Sequence, residues 1–220
     1  MEKKRLTPPD YKNYEYAYNQ SYQLASKRLA EIDDLEQQCR KSGAQYQVQD
    51  DKQVIVIRYL NQSYQITLPD IKIALVNGTE EVPIRDRVLI LHYFNSARGT
   101  PAAGKLITFR ELPEGTVYAP TFDQRTVKHL LNNFGKEPEL LLDVAKKLGG
   151  HQVEHGDVAV TIDAFARVPV TIVLWRGDEE FSPSGNILFD ASITDYLATE
   201  DITILCETIT WRLVRSFQRN

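Results

Sequence analysis

The sequence predicts an α+β domain, an antiparallel or mixed sheet packed with helices, with a long helix near each terminus. Three observations carry this. Apolar residues recur at three- and four-residue steps between Tyr11 and Lys41, the period of a helix with one buried face, and a second long helix is read from Glu200 to Phe217. Runs of β-branched and aromatic residues separated by short turn signals occupy 46–76 and 156–190. Nothing repeats, and no tract rich in Gly, Pro or Ser divides the chain. Residues 1–220 therefore read as a single domain, with only 1–8 expected to be flexible.

Composition agrees. The chain has 42% hydrophobic, 25% charged and 10% aromatic residues, an ordinary globular mixture. At this size folding hides roughly 70–75% of the unfolded surface, so a core suffices without staples. The net charge of −4 offers no basic stripe for phosphates, and Lys3, Lys4 and Arg5 read as a solvated tail. Cys39 and Cys206 are too few for an iron–sulfur cluster and read as buried, reduced thiols. With no apolar leader after Met1, a cytoplasmic location is expected. The apolar run Val88 to Leu91 is far shorter than the roughly 20 residues that span a bilayer. Neither nucleic acid nor membrane is an expected partner; a small-molecule ligand or another protein is.

The elements follow in order. Thr7 is the expected N-cap of the first helix, with Pro8 at its first position and Asp10 closing a capping box. Tyr14, Tyr18, Tyr22, Ala25, Leu29, Ile32 and Cys39 make its apolar stripe, and Gly43 ends it. Five tyrosines fall between Tyr11 and Tyr22; rings packed on a sheet are the expectation, a stacking platform the alternative. Residues 46–48, 54–59 and 63–68 read as a meander turned at Asp50-Asp51 and Asn61-Gln62, with a fourth strand at 71–76 ended by Asn77-Gly78.

Pro83 opens a helix to about Ala97, apolar on nearly all sides from Val88 to Phe94 and hence central. His92 inside it reads as a hydrogen-bonded core residue. Residues 104–118 read as a strand, a turn at Pro113-Glu114-Gly115 and a short returning strand. One helix capped by Thr121, with Gln124 at N3, stops at Gly135, and another runs from Pro138 to Gly149-Gly150. Strands at 156–162, 168–175 and 185–190 follow, two of them continuous β-branched runs expected to be covered on both faces.

Familiar catalytic strings fail on context. His151-Gln152-Val153-Glu154-His155 has the order of an inverted zinc protease motif, but flanking glycines leave no helix to bring both imidazoles to one metal. No G-x-S-x-G elbow is present. Gly99 to Lys105 has Walker A spacing, yet Leu106 replaces the magnesium-binding hydroxyl, and the segment runs from helix to strand. A plain connector is expected, with Lys105 available to an anion.

The distinctive chemistry lies at two strand ends. Between Arg176 and Arg212 there is no Lys or Arg but eight acids, of which Asp178, Glu179 and Glu180 are consecutive and follow the apolar strand ending in Trp175. Such a turn is a common ligand position, where carboxylates hold a hard cation or keep one acid protonated. The plainer reading is a solvated strand end, with Glu200 and Asp201 at a helix N-terminus. Arg110-Glu111 forms the second charged strand end.

Leu91-His92-Tyr93, the run from Gly104-Lys105 to Pro113, Phe134-Gly135, Leu148-Gly149-Gly150, Gly156-Asp157, Arg167-Val168-Pro169, Leu174 to Phe181, Leu188-Phe189-Asp190 and Tyr196 to Asp201 together form a pattern. From about Tyr14 to Leu213 it resembles the family catalogued as domain of unknown function 3786. The resemblance implies an accessory role in anaerobic metabolism, near corrinoid and one-carbon chemistry. Some members of that family carry an added four-cysteine iron–sulfur module, which this chain lacks, so no redox role carries over. The family supplies no catalytic residues.

The expected function is thus binding of a small ligand or cofactor of unknown identity. The candidate pocket lies between Arg110 and Glu111 on one side and Trp175, Asp178, Glu179, Glu180 and Phe181 on the other. A carboxylate-dependent enzyme, with or without a divalent cation, and a protein-interaction subunit are the alternatives. No metal ligands and no catalytic residues are assigned.

Overall fold

The structure is a computed structural model that describes residues 11–218. The expected Thr7 cap and the flexible 1–8 segment lie outside the described residues. The strands form one nine-stranded antiparallel sheet whose main path runs β4-β3-β2-β7-β8-β9-β5, with β1 beside β2 and β6 beside β7. The α+β architecture expected from the sequence is the one that forms.

The first helix is two. α1 (Tyr11–Ala30) stops, and α2 (Leu35–Ser42) starts afresh because the Asp34 carboxylate accepts the Gln37 amide at 2.8 Å. Gly43 closes α2 at φ 70°, and a Cβ there would stand 2.7 Å from that of Ala166, so both conformation and space call for glycine. α1 lies along α3 (Ile84–Ser96), not on the sheet as its tyrosines suggested. Tyr22 donates its hydroxyl to the Ile71 carbonyl under the Arg87 guanidinium, while Tyr16 faces solvent.

β1 (Gln45–Gln49), β2 (Lys52–Tyr59), β3 (Gln62–Thr67) and β4 (Lys72–Leu75) are the expected meander. Its second turn falls one residue earlier than expected, with Leu60 and Asn61 at φ 46° and 63°. Leu60 tolerates that conformation because its side chain is buried and its amide reaches the Ala164 carbonyl at 2.9 Å.

After β5 (Leu106–Thr108) the chain makes a 3₁₀ turn at Phe109–Glu111 and enters α4 (Gly115–Arg125). The returning strand expected up to 118 is therefore helical. Phe109, Ala119 and Phe122 are all buried, and the two phenyl rings stack 3.9 Å apart, a reward that an extended segment would forfeit. Thr121 is an exposed interior residue of α4 and no cap. The break comes at buried Thr126, before α5 (Val127–Phe134), which Gly135 ends as expected. α6 (Leu140–Lys146), β6 (His151–Val153), β7 (Val158–Phe165), β8 (Val168–Trp175), β9 (Ser184–Asp190), a 3₁₀ turn at Ala191–Asp195 and α7 (Thr199–Gln218) complete the fold.

Alternate positions of the strands face the helices. Val160 and Ile162 of β7, Ile172 and Leu174 of β8, and Ile187 and Phe189 of β9 join one core with residues of α3, α5, α6 and α7. Ala159 and Val173 are buried but stand outside that core, and Thr161 and Thr171 share a 2.8 Å hydroxyl contact. The second face is thus covered as well at Ala159, Thr171 and Val173, as expected, while Thr161 and Pro169 are half-buried and Asp163 is exposed.

The sheet has a seam. β1–β4 and β6–β9 meet through a single β2–β7 register pair, Tyr59 with Phe165, beside a bulge at Ala164. Aromatic rings fill that junction. Tyr59 stacks on Phe165 at 4.8 Å, Phe165 on Tyr93 of α3 at 4.0 Å, and Tyr93 faces Tyr196 at 5.9 Å. All four are essentially inaccessible to solvent. The Tyr93 hydroxyl donates to the Ser42 carbonyl at 2.6 Å and accepts the Arg167 amide at 3.2 Å, so the phenol is satisfied at the centre of the fold.

Charges reinforce the same helices. Asp86 of α3 takes the Arg212 guanidinium of α7 at 2.7 Å and the Tyr59 hydroxyl at 3.2 Å. Arg85 and Arg125 both donate to Glu207, at 2.7 and 3.2 Å. His92, half-buried, meets Ser21 of α1 and Asp201 of α7, in line with its reading as a hydrogen-bonded residue.

Replacing Asp86 by Ala strands the mostly buried Arg212 charge and should cost about 3 kcal/mol in urea unfolding. Adding Arg212→Met should restore part of that loss, which a double-mutant cycle will read.

Candidate functional site

Each charged strand end is first a piece of local structure. The Glu111 carboxylate accepts the Thr108 amide at 2.7 Å and its hydroxyl at 3.0 Å, and these bonds hold its carboxyl below the usual range. That capping box sets the 3₁₀ turn, sending Phe109 inward against Phe122 and leaving Arg110 exposed, 3.6 Å from Asp123 of α4.

The acidic turn is closed in the same way. Asp178 accepts the Phe181 amide at 2.7 Å and the Glu180 amide at 2.8 Å, which lowers its carboxyl, while its own amide donates to the Phe181 carbonyl. Glu179 and Glu180 face solvent, Phe181 is 69% exposed, and Trp175 stands 40% exposed at the end of β8. Arg176 anchors the turn's base through its amide on Asp157 and its guanidinium on Glu139.

The two clusters occupy adjoining hollows and do not share one. Arg110 borders a cleft of about 760 Å³ between the 3₁₀ turn, α4, α5 and the start of β9. Asp178, Glu179, Glu180 and Phe181 line a shallower hollow of about 430 Å³ against Gly135 and Lys136. Pro183 lines both, and Trp175 and Glu111 border neither. The separation follows from the turn at 177–183, which folds back on itself through Asp178 and carries its acids away from Arg110.

The larger cleft has a polar rim that the sequence reading passed over. Gln124, Lys128 and Asn132 recur every four residues along the α4–α5 corner and join Arg110 and Asn186 around it, above Val127, Leu131 and Ala119. The four-residue spacing lies within the helix expected from Thr121 to Gly135; what the sequence does not show is that this face meets Arg110 and Asn186 across the cleft. Lys128 has no carboxylate partner among the described residues, whereas Arg110 has Asp123.

Asp190 explains why the Walker-like segment cradles no phosphate. Its carboxylate accepts the Ala103 amide at 2.9 Å, the Gly104 amide at 2.8 Å, and the amide and hydroxyl of Ser192 at 2.9 and 2.6 Å. Burial pushes this carboxyl up, but the four donors outweigh it and hold it below the usual range. The loop amides that a phosphate would need are thus already engaged by an internal anion. His151 lies in β6 and His155 beyond its end, both exposed. Among the described residues no group of three His, Cys, Asp or Glu is placed to hold a metal. Both thiols are buried, Cys39 pushed up to about 11 by burial and Cys206 further, so neither is a ready nucleophile. No described helix is long and apolar enough to cross a membrane.

Neither curated proteins nor solved structures yield a match to the chain. The sequence does match the family described as Domain of unknown function (DUF3786) over residues 34–212, a span that takes in the sheet, the seam and both strand-end clusters, and the chain belongs to that family.

Proposed function

We propose that this domain binds a small anionic ligand in the cleft beside Arg110, with Lys128 as its principal cation. One observation carries the reading. A cleft of about 760 Å³, within the usual size range of small-molecule sites, has two cations and three side-chain amides around an apolar floor. Arg110 shares its charge with Asp123, so Lys128 supplies the net positive potential. Gln124, Asn132 and Asn186 offer amides to the ligand's remaining oxygens, and Val127 and Leu131 suit an apolar or planar part. A carboxylate-dependent enzyme finds less support, because Glu111 and Asp178 are held below the usual range and spend their oxygens on backbone amides. An accessory role in anaerobic, corrinoid-linked metabolism rests on the family resemblance alone.

Titration of the isotopically labelled chain with inorganic phosphate and with citrate should shift the Asn132 and Asn186 side-chain amides saturably. Lys128→Ala should weaken that binding about tenfold, or roughly 1.4 kcal/mol, with thermal stability unchanged. Raised salt should weaken it further, since the rim charges face solvent. Absence of a saturable shift with either anion would sink the reading.

Asp190 gives a second check, because it frames the loop that leads into the Arg110 turn. Its carboxyl is lowered on folding, so its contribution is present above the ordinary carboxyl range and is lost as pH falls through it, near ~4, toward the folded value. Asp190→Asn should cost about 2 kcal/mol at neutral pH and flatten the acid limb of the stability curve measured by urea unfolding. An acid limb unchanged by the substitution would contradict this assignment.

A further inference from the structure

Three polar side chains, one each from α1, α3 and α7, meet away from the cleft. His92 Nδ1 lies 2.8 Å from Asp201 Oδ1, and His92 Nε2 lies 3.1 Å from Ser21 Oγ. Their sequence separations are 109 and 71 residues, so only the helix packing unites them. Asp201 sits in the first turn of α7, and its side chain is only 13% exposed. In the tautomer that carries its proton on Nδ1, the imidazole donates to this carboxylate and presents the Nε2 lone pair to the Ser21 hydroxyl. A helix clamp needs only the Asp–His pair. A hydroxyl on the other nitrogen, with the imidazole still 27% exposed, is the order in which a carboxylate orients a base and the base activates a nucleophile.

We propose that Ser21 is an activated serine that accepts the acyl group of a small carboxylic ester, with His92 as its general base and Asp201 as the positioning residue. Ser21 Oγ bonds to the carbonyl carbon while its proton passes to Nε2. The bond to the alcohol oxygen then breaks, and that oxygen leaves with the proton from Nε2. Water, deprotonated by the same nitrogen, attacks the acyl-serine, releases the acid and restores the hydroxyl. Ester and water are the only reactants consumed. Ser21 lies in the middle of α1, whose amides are engaged within the helix, so its own element offers no amide to a developing oxyanion. The rate gain is therefore that of general-base help alone, about 10²–10⁴-fold.

The full chain, incubated with p-nitrophenyl acetate, should release p-nitrophenolate and gain an acetyl group that peptide mass spectrometry maps to Ser21. Ser21→Ala should abolish that modification, and His92→Gln should slow it roughly 10²-fold. Asp201→Asn should slow it as well, and Asp201→Glu should recover part of the rate, a rescue that a purely structural carboxylate would not give. Circular dichroism checks the fold of each variant. If His92→Gln does not fold, the comparison passes to Asp201→Asn, which keeps the imidazole. No acetyl group at Ser21, or acetylation at an unchanged rate when the base or its partner is altered, would overturn the proposal.

Discussion

The stack of Tyr59, Phe165 and Tyr93 is the contact on which the rest of this fold depends. Strand pairing alone joins the two halves of the sheet weakly, through one register pair and the adjacent Leu60 amide. Ring faces at 4.8 and 4.0 Å replace the missing ladder with a large buried apolar area. The middle helix is drawn in by the same contact, since Tyr93 belongs to α3 and its hydroxyl spans to Ser42 and Arg167. Once α3 is seated, one turn of it faces Asp201 through His92 and another faces Arg212 through Asp86. Position and orientation of α1 and α7 follow from there.

The candidate chemistry sits at the margins of that frame, where local carboxylate locks take over. Glu111, Asp178 and Asp190 each accept backbone amides and each is held below the usual carboxyl range. Of the acids singled out in the sequence, Glu111 and Asp178 are thus ones that shape loops, while Glu179 and Glu180 face solvent. What they leave for a ligand is the Arg110 and Lys128 rim over an apolar floor. The Ser21 site is of a different kind. Helices position it with no loop involved, so its geometry is as firm as the α1–α3–α7 packing that the seam supports.

Much of the fold was legible because period and punctuation agree along most of the chain. Pro83, the apolar run from Val88 to Phe94 and the closing helix all read correctly, as did the β-branched strands. The misses have local causes. An unbroken apolar stripe hid the Asp34 cap, and the first turn of α4, up to Tyr118, reads as a short strand because Pro113-Glu114-Gly115 is a turn signal. A Cβ at Gly115 would fall 1.9 Å from the Phe109 carbonyl oxygen, so its role is to let the helix start against the 3₁₀ turn. The site was less legible. Arg110 could be picked out by its strand end, but the acids at 178–180 point into a separate hollow, and the Ser21–His92–Asp201 line spans 109 residues at its longer step. No spacing rule reaches across such a distance; only the packing of three helices brings those groups together.

Native-state hydrogen exchange on Phe165→Leu tests the seam most directly. The substitution keeps an apolar side chain but removes both stacks. If the seam unites the fold, amides of Ile55 and Ile57 in one half and of Val160 and Ile172 in the other should lose protection by the same free energy. Loss confined to one half, with the other as protected as before, would show that each half stands by itself and would contradict the account.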